Sequence, residues 1–330
     1  MKVDLFVVGA GIIGTWVALE AARKGLFVVV FDDGKEGITM RNSGVLHAGL
    51  YYPPNNKAFH CVRGREMTVD FLRQHDIPHY ICGKLVVGDE LSLQNLYINA
   101  KQNCVENLEI VNPQKFSPYI LGKVALHSKN TGVVDVPEYM KTLKHIAESE
   151  GVIFVKGSHK EIDVKYKYLI NAAGLYGDEV AEYFGLKDYK IIPNKGEYYR
   201  LKRTFPLKKL IYPVPNSNEK GALGIHFTFN MHGECYAGPS TREAKNKTDY
   251  SIETDAQTFY DSLSRILNYY TLDDFVEGYV GLRPRLYEND KHISDFTIVK
   301  KDGIMHLLGI ESPGLTSAPS IAKSVIENFL

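Results

Sequence analysis

Three glycines set the first chemistry open to this sequence. Gly9, Gly11 and Gly14 fall in G-x-G-x-x-G spacing. In a strand-to-helix turn the first allows the tight bend, the second lets the backbone approach a pyrophosphate, and the third permits close helix-on-sheet packing. Ile12 and Ile13 lie within that turn, before the helix whose N–H groups and positive dipole end would face the phosphates. Asp32, followed by Asp33, stands near the roughly 20-residue interval at which an acid reaches a ribose hydroxyl. Two further stretches carry the same signature of close backbone approach. RNSGVLHAGLYY places Asn42, Ser43, Gly44 and His47 among small residues, and Gly309 to Pro319 brings Pro313, Gly314, Leu315 and Thr316 to the entry of a last helix. The first motif alone leaves NAD(P) and FAD open. A long dinucleotide contacted from both ends of the chain fits FAD, since an NAD domain requires no second helix entry at the far end.

These residues need elements to hold them. Val3 to Val8 reads as a strand buried on both faces, Thr15 to Lys24 as a helix closed by Gly25, and Phe27 to Phe31 as a second buried strand. Asn56 is expected to cap a helix through Gln74 with Phe59, Val62, Val69 and Leu72 on its inner face. His79 to Val87 reads as strand and Glu90 to Val105 as a polar helix. The pieces near Val111 and Val124 to His127 read as an inserted layer. Val136-Pro137 opens a helix to Ser149, and Gly151 to Val155 reads as another core strand. Tyr168 to Gly174 is a strand whose small end, Ala172, Ala173 and Gly174, leaves room for a bulky ligand. Past Ile191 alternation dominates: Gly196 to Leu201, Leu210 to Val214, Leu223 to Phe229 and Glu234 to Gly238 are strands separated by turns such as Pro215 to Asn218. A helical stretch, Asp255 to Tyr269, precedes a strand reaching Gly281 to Pro284. Phe296 to Val299 and Met305 to Leu308 are strands, and Thr316 or Ser317 is expected to cap the last helix, with Pro319 in its first turn. The fold class is α/β, α+β overall. A discontinuous Rossmann-like nucleotide domain (1–76, 135–190 and 285–330) combines with a mostly antiparallel sheet domain (77–134 and 191–284).

Composition narrows the partners. Lysine plus arginine equals aspartate plus glutamate at 39 each, so no global field favours nucleic acid. The four cysteines form no C-x-x-C pair, which fits a reducing compartment and argues against a structural metal site. The sequence opens directly into strand one and has no apolar run near ~20 residues, which gives the expectation of a cytoplasmic protein, with peripheral membrane contact left open. His127, His159, His232 and His292 read as surface residues.

Taken together, GAGIIG, the 41–52 block, INAAG at 170–174, NKGEYYRL at 194–201, LIYPVP at 210–215, GLRPRL at 281–286 and SPGLTSAPSIA at 312–322 resemble the D-amino-acid-oxidase-like FAD-dependent oxidoreductases, and within them the L-2-hydroxyglutarate dehydrogenase/oxidase family. The resemblance implies FAD, expected to be non-covalent, with Gly9, Gly11, Gly14 and Asp32 on pyrophosphate and ribose. It also implies Asn42, Ser43, Gly44 and His47 against the isoalloxazine, Ala173 and Gly174 near the adenylate, and Gly314, Leu315 and Thr316 at the pyrimidine end of the flavin. The family usually has glutamate where this chain has Asp32 and arginine where it has Lys195, and its chains are longer around 157–168. The implied reaction oxidises a small 2-hydroxy acid, with L-2-hydroxyglutarate the leading candidate, by hydride transfer to the flavin. Oxygen, a quinone or a protein carrier then takes the electrons. Such chemistry needs a cation for the carboxylate, for which Arg283 is the choice, its alternative being an ion pair with Glu288 or Asp290. It also needs a base, for which His47 and His226 are the candidates. Glu197 either orients base or substrate or is a strand-surface carboxylate. Glycerol-3-phosphate dehydrogenase, flavin amine or amino-acid oxidase, and a flavin-binding factor without turnover are the competing readings.

Overall fold

The computed structural model describes residues 2–35, 37–162, 165–215 and 224–329. Its first layer is a six-stranded sheet in the order Thr297–Lys301, Ile304–Leu308, Lys165–Asn171, Lys2–Val8, Val28–Asp32, Ile153–Lys156. All neighbours run parallel except the Thr297–Lys301 edge, which turns back antiparallel on Ile304–Leu308. Parallel strands covered on both faces read as near-continuous apolar runs, and Val3, Leu5, Phe6 and Val7 accordingly show no exposure. Ile153–Lys156 departs from its expected core position. It is the other edge strand, and Ile153 is 42% exposed.

Helices Ile12–Ala22, Asn56–Gln74, Val136–Ser149 and Gly314–Phe329 cover this sheet. Trp16 ties three of them, donating its Nε1–H to the Tyr139 hydroxyl at 2.8 Å and meeting Phe71 edge-on at 4.7 Å between centroids. The second of these helices spans the expected residues, but its cap is Asn55, whose side chain accepts from Ala58 N–H. Its inner face is rotated accordingly. Phe59 points outward at 54% exposure, while His60 and Cys61 are buried beside Val69 and Leu72. The last helix begins at Gly314, so Thr316 and Ser317 lie inside its first turn rather than capping it, and Pro319 falls within the helix.

The second layer is a ten-stranded sheet, antiparallel except where Leu210–Pro213 runs parallel to Lys84–Gly88. Its longest pairing joins Tyr189–Leu201 to Phe275–Glu288 over their whole length, setting Asn194 opposite Arg283 and Gly196 opposite Gly281. Leu108–Val111 and Val124–Ser128 belong to this sheet. The helix after Asp255 is short, Ala256–Leu263. His127, expected at the surface, is 7% exposed beneath Phe116, with Lys209 Nζ 3.3 Å from its Nε2. Residues 216–218 of the expected turn and Leu223 lie outside the described residues. A three-stranded sheet, Val45–Leu46, Gly132–Val134 and His79–Tyr80, links the layers and anchors the loop that carries His47. Among the described residues, no helix is long and apolar enough to cross a membrane.

Candidate active site

A cavity of about 740 Å³ runs from the first glycine turn, under the large sheet, to the entry of the last helix. Its near end is the nucleotide motif. Gly9 sits at φ +104°, and a Cβ there would lie 2.5 Å from the Ala172 carbonyl oxygen. A Cβ on Gly14 would fall 1.9 Å from the Gly9 oxygen, so helix and strand meet at a distance only glycine allows. Gly14 is therefore a packing residue behind the cavity, whereas Gly9, Gly11, Ile12 and Ile13 line it. The helix starts at Ile12, ahead of the expected Thr15, with Gly11 at its cap position offering no side chain, and Ile12 N–H donates to Thr39 Oγ1 at 3.1 Å. Asp32 faces the cavity with its carboxylate accepting from Ala10 N–H and Gly34 N–H, both at 2.8 Å, and Asp33 lies alongside. Ala172, Ala173 and Gly174 form the opposite wall. An uncapped helix start, a glycine cradle and an acid at the second strand's end together suit the phosphates and ribose of a dinucleotide.

The middle of the cavity is held by the loop after Arg41. Asn42 folds it by donating to the Thr39 carbonyl and accepting from Gly44 N–H. Asn42, Ser43 and His47 reach the cavity, while Gly44, at φ +65°, packs against Val134. Thr316 is fully buried and does not line the cavity. Its hydroxyl accepts from His47 N–H at 3.0 Å and donates to the Val45 carbonyl at 3.4 Å, locking the loop to the last helix. Pro313, Gly314 and Leu315 supply the wall there. His47 Nε2 lies 3.2 Å from Ser312 Oγ. Burial, with the charge of Lys84 nearby, pushes its pKa down to about 3, so the ring is neutral.

The far end is built by the large sheet. Arg283 Nη1 donates to Asn194 Oδ1 at 3.0 Å, and Asn194 is fixed in turn by the Thr241 hydroxyl at 3.0 Å. Among the described residues, no carboxylate pairs with Arg283; neither Glu288 nor Asp290 does so. His226 is 3% exposed and stacks on Tyr212 at 3.5 Å between centroids. Its Nδ1 lies 2.9 Å from the Gly224 carbonyl oxygen. A carbonyl only accepts, so Nδ1 carries the proton and Nε2 keeps its lone pair. Burial drives this imidazole well below its ordinary pKa, with Lys84, His47 and Arg283 adding to the effect.

Glu197 is not in the cavity wall. Strand alternation turns Gly196 and Tyr198 toward the cavity and Glu197 away from it, fully buried. Its oxygens accept from the Ser240 hydroxyl and Glu253 N–H, both at 2.7 Å. It braces the 240–254 loop and touches the site only through Ser240. Lys195, where the family pattern has arginine, is likewise buried on that side, bonded to Asp249 and Glu253.

Several cavity residues lie outside the set expected from the sequence. Arg285 follows Arg283 on the same strand face, which alternation would have revealed. Arg41, packed over the Tyr250 ring at 4.1 Å, and the ring wall of Tyr51, Tyr52, Tyr198 and Tyr212 also line the site. Behind that wall lies Lys84, fully buried, its ammonium 4.5 Å from the ring centroids of both Tyr51 and Tyr212.

A dinucleotide cradle continuing into a basic and aromatic reaction cavity is the arrangement of a flavin-dependent oxidoreductase. The chain belongs to the FAD dependent oxidoreductase (DAO) family, whose model matches residues 4–328. It is thus an FAD-dependent enzyme. Among its relatives it is 30% identical to an L-2-hydroxyglutarate dehydrogenase of Indibacter alkaliphilus, across 99% of this chain and 98% of that one. It is also 30% identical to a glycerol 3-phosphate dehydrogenase of Caloramator mitchellensis, across 98% of this chain and 73% of that one. In fold it is similar to the FAD-bound L-α-glycerophosphate oxidase of Mycoplasma pneumoniae, with a TM-score of 0.87 and 21% identity over 100% of this chain and 95% of that one.

Proposed function

We propose that this enzyme oxidises a small 2-hydroxy acid, L-2-hydroxyglutarate first among them, to the 2-oxo acid. One juxtaposition carries the reading: Arg283, without a carboxylate partner among the described residues, and His226, with its Nε2 lone pair open, line the same cavity. The bound FAD supplies the acceptor for the α-hydrogen as hydride. Gly9, Gly11 and the start of the first helix would hold its pyrophosphate, Asp32 its ribose, and the Asn42–His47 loop with Pro313 to Leu315 its ring.

The remaining work falls to the sheet. Arg283 offers the planar N–H edge that Asn194 leaves unused, which suits bidentate capture of a carboxylate. With the carboxylate fixed, the 2-hydroxyl is oriented and its proton passes to a neutral imidazole, a role His226 Nε2 is prepared for. His47, held by Thr316 and Ser312, shapes the flavin side of the loop. Tyr51, Tyr52, Tyr198 and Tyr212 exclude water around the reacting carbon. The relatives named for L-2-hydroxyglutarate support this substrate. The relative and the solved structure named for glycerol phosphates, together with Arg41 and Arg285 in the wall, favour glycerol 3-phosphate as the second reading.

Turnover with an electron-accepting dye separates the two. L-2-hydroxyglutarate is expected to give the higher kcat/KM, with His226→Asn losing kcat at every pH. Faster turnover of glycerol 3-phosphate would replace the substrate assignment.

A further inference from the structure

Lys84 is the residue in this region whose environment its own strand does not explain. It lies on Lys84–Gly88, opposite Leu210 on one neighbouring strand and Ser128 on the other, and neither supplies a charge. Its ammonium is fully buried and, among the described residues, has no hydrogen-bond partner. Two ring faces, Tyr51 and Tyr212, hold it at 4.5 Å each. Among the described residues, the other titratable groups that sense its charge are His47, His226, Cys61 and Cys82, and none of them carries a negative charge at neutral pH. Among the described residues, no carboxylate reaches it.

A buried ammonium with only π faces for company is incompletely compensated. Both rings that hold it also line the cavity, so an anion bound in the cavity could supply the counter-charge across them. We propose that Lys84 is a positioning and specificity-determining residue: its positive charge, set behind the Tyr51–Tyr212 wall, selects anionic substrates and fixes the tyrosines against them. The inference rests on the reading of this cavity as an anion-oxidising site, and it deepens that reading by adding a second cation to Arg283.

Two consequences follow. An anion entering the cavity favours the charged form of Lys84, and because burial otherwise holds its pKa down at about 7, binding at about pH 8 draws in a proton. Removing the charge also relieves the fold of an uncompensated buried cation, so loss of function should accompany a gain in stability, the reverse of what a structural lysine would show.

The test is calorimetric titration of the FAD-loaded enzyme at about pH 8 with 2-oxoglutarate, glycerol 3-phosphate and lactate, each in two buffers of different ionisation enthalpy. Wild type is expected to bind at least one anion with net proton uptake. Lys84→Met should weaken that binding roughly ten-fold or more, the effect of one unit charge across a low-dielectric wall. It should also abolish the uptake and raise the thermal midpoint. Lys84→Gln is the second neutral variant, should methionine disturb FAD loading. Lys84→Arg should recover most of the affinity without the uptake, since guanidinium is charged beforehand. Unchanged affinity and unchanged uptake in both neutral variants would overturn the proposal, as would a lowered midpoint with unchanged affinity. A wild type that takes up its proton with glycerol 3-phosphate and ignores 2-oxoglutarate would overturn the substrate assignment and leave the role of Lys84 standing. Binding none of the three anions would overturn both.

Discussion

Replacing Arg283 tests the substrate end of the cavity with a magnitude that can be worked out beforehand. One N–H of its guanidinium is used on Asn194, which leaves an edge for a carboxylate. Each charge-assisted hydrogen bond contributes about 1.5–3 kcal/mol, so a bidentate pair is worth about 3–6 kcal/mol. At 1.36 kcal/mol per decade this corresponds to roughly a 10²–10⁴-fold loss in kcat/KM for Arg283→Ala. Water entering the vacated space compensates part of it and favours the lower end. The fold should tolerate the change, because Asn194 Oδ1 keeps its bond from the Thr241 hydroxyl and no carboxylate loses a partner. Stability should therefore move by less than about 1 kcal/mol. Arg283→Lys keeps the charge, loses the planar fork, and should fall between wild type and alanine. The assay is steady-state dye reduction by L-2-hydroxyglutarate, with FAD content read from the visible spectrum of the same samples. A normal KM in Arg283→Ala with a full complement of FAD would refute the anchor.

Four further outcomes follow. Gly14→Ala sets a Cβ 1.9 Å from the Gly9 oxygen, which should cost about 3 kcal/mol or more and release FAD. Gly25→Ala, with nothing within 4 Å of its Cβ, should cost only about 1 kcal/mol and keep the cofactor; equal FAD loss in both variants would contradict the cradle. Gly196→Ala places a Cβ 2.8 Å from Arg283 Nη2, displacing the guanidinium and raising KM in steady-state kinetics while FAD content stays constant. Buried His306, its pKa pushed down to about 4, is neutral in the fold, while the unfolded chain protonates it below about 6.5. The unfolded state therefore binds more protons between those values, and stability falls as pH drops through that window, by about 1–2 kcal/mol at pH ~5 from this residue. Thermal melts should show a shallower slope for His306→Asn, and parallel slopes would exclude His306 as a source. The stability gain of Lys84→Met should be full at about pH 7 and below and fade toward the unfolded lysine pKa near ~10.4, because only between those values do the folded and unfolded protonation states differ. Melts in which the gain grows above about pH 9 would contradict that assignment.

What could be read from the sequence is what depends on local spacing. The turn from Gly9 to Gly14, the acid at Asp32, the loop at Asn42 to His47 and the entry at Gly314 each announce themselves within a few residues, and the cavity brings them together across the chain. Facing was harder to read. Glu197 and Tyr198 are adjacent, and alternation fixes only that they point to opposite sides, not which side meets the cavity. Thr316 looked like a cap because hydroxyls cap helices, but the helix starts earlier and its hydroxyl serves the His47 loop. Lys84 had no local signal at all. Its setting arises when Tyr51 and Tyr212, distant in the chain, close on one strand position. The tautomer of His226 likewise depends on a carbonyl, Gly224, that only the folded turn presents.

The most direct test of the central claim is anaerobic mixing of the yellow holoenzyme with L-2-hydroxyglutarate in a stopped-flow spectrometer, with glycerol 3-phosphate and the D enantiomer as comparators. The L-hydroxy acid should bleach the flavin absorbance fastest, deuterium at its α-carbon should slow the bleaching, and 2-oxoglutarate should form in proportion to FAD reduced. A flavin that stays oxidised with L-2-hydroxyglutarate, or bleaches faster with glycerol 3-phosphate, would contradict the claim.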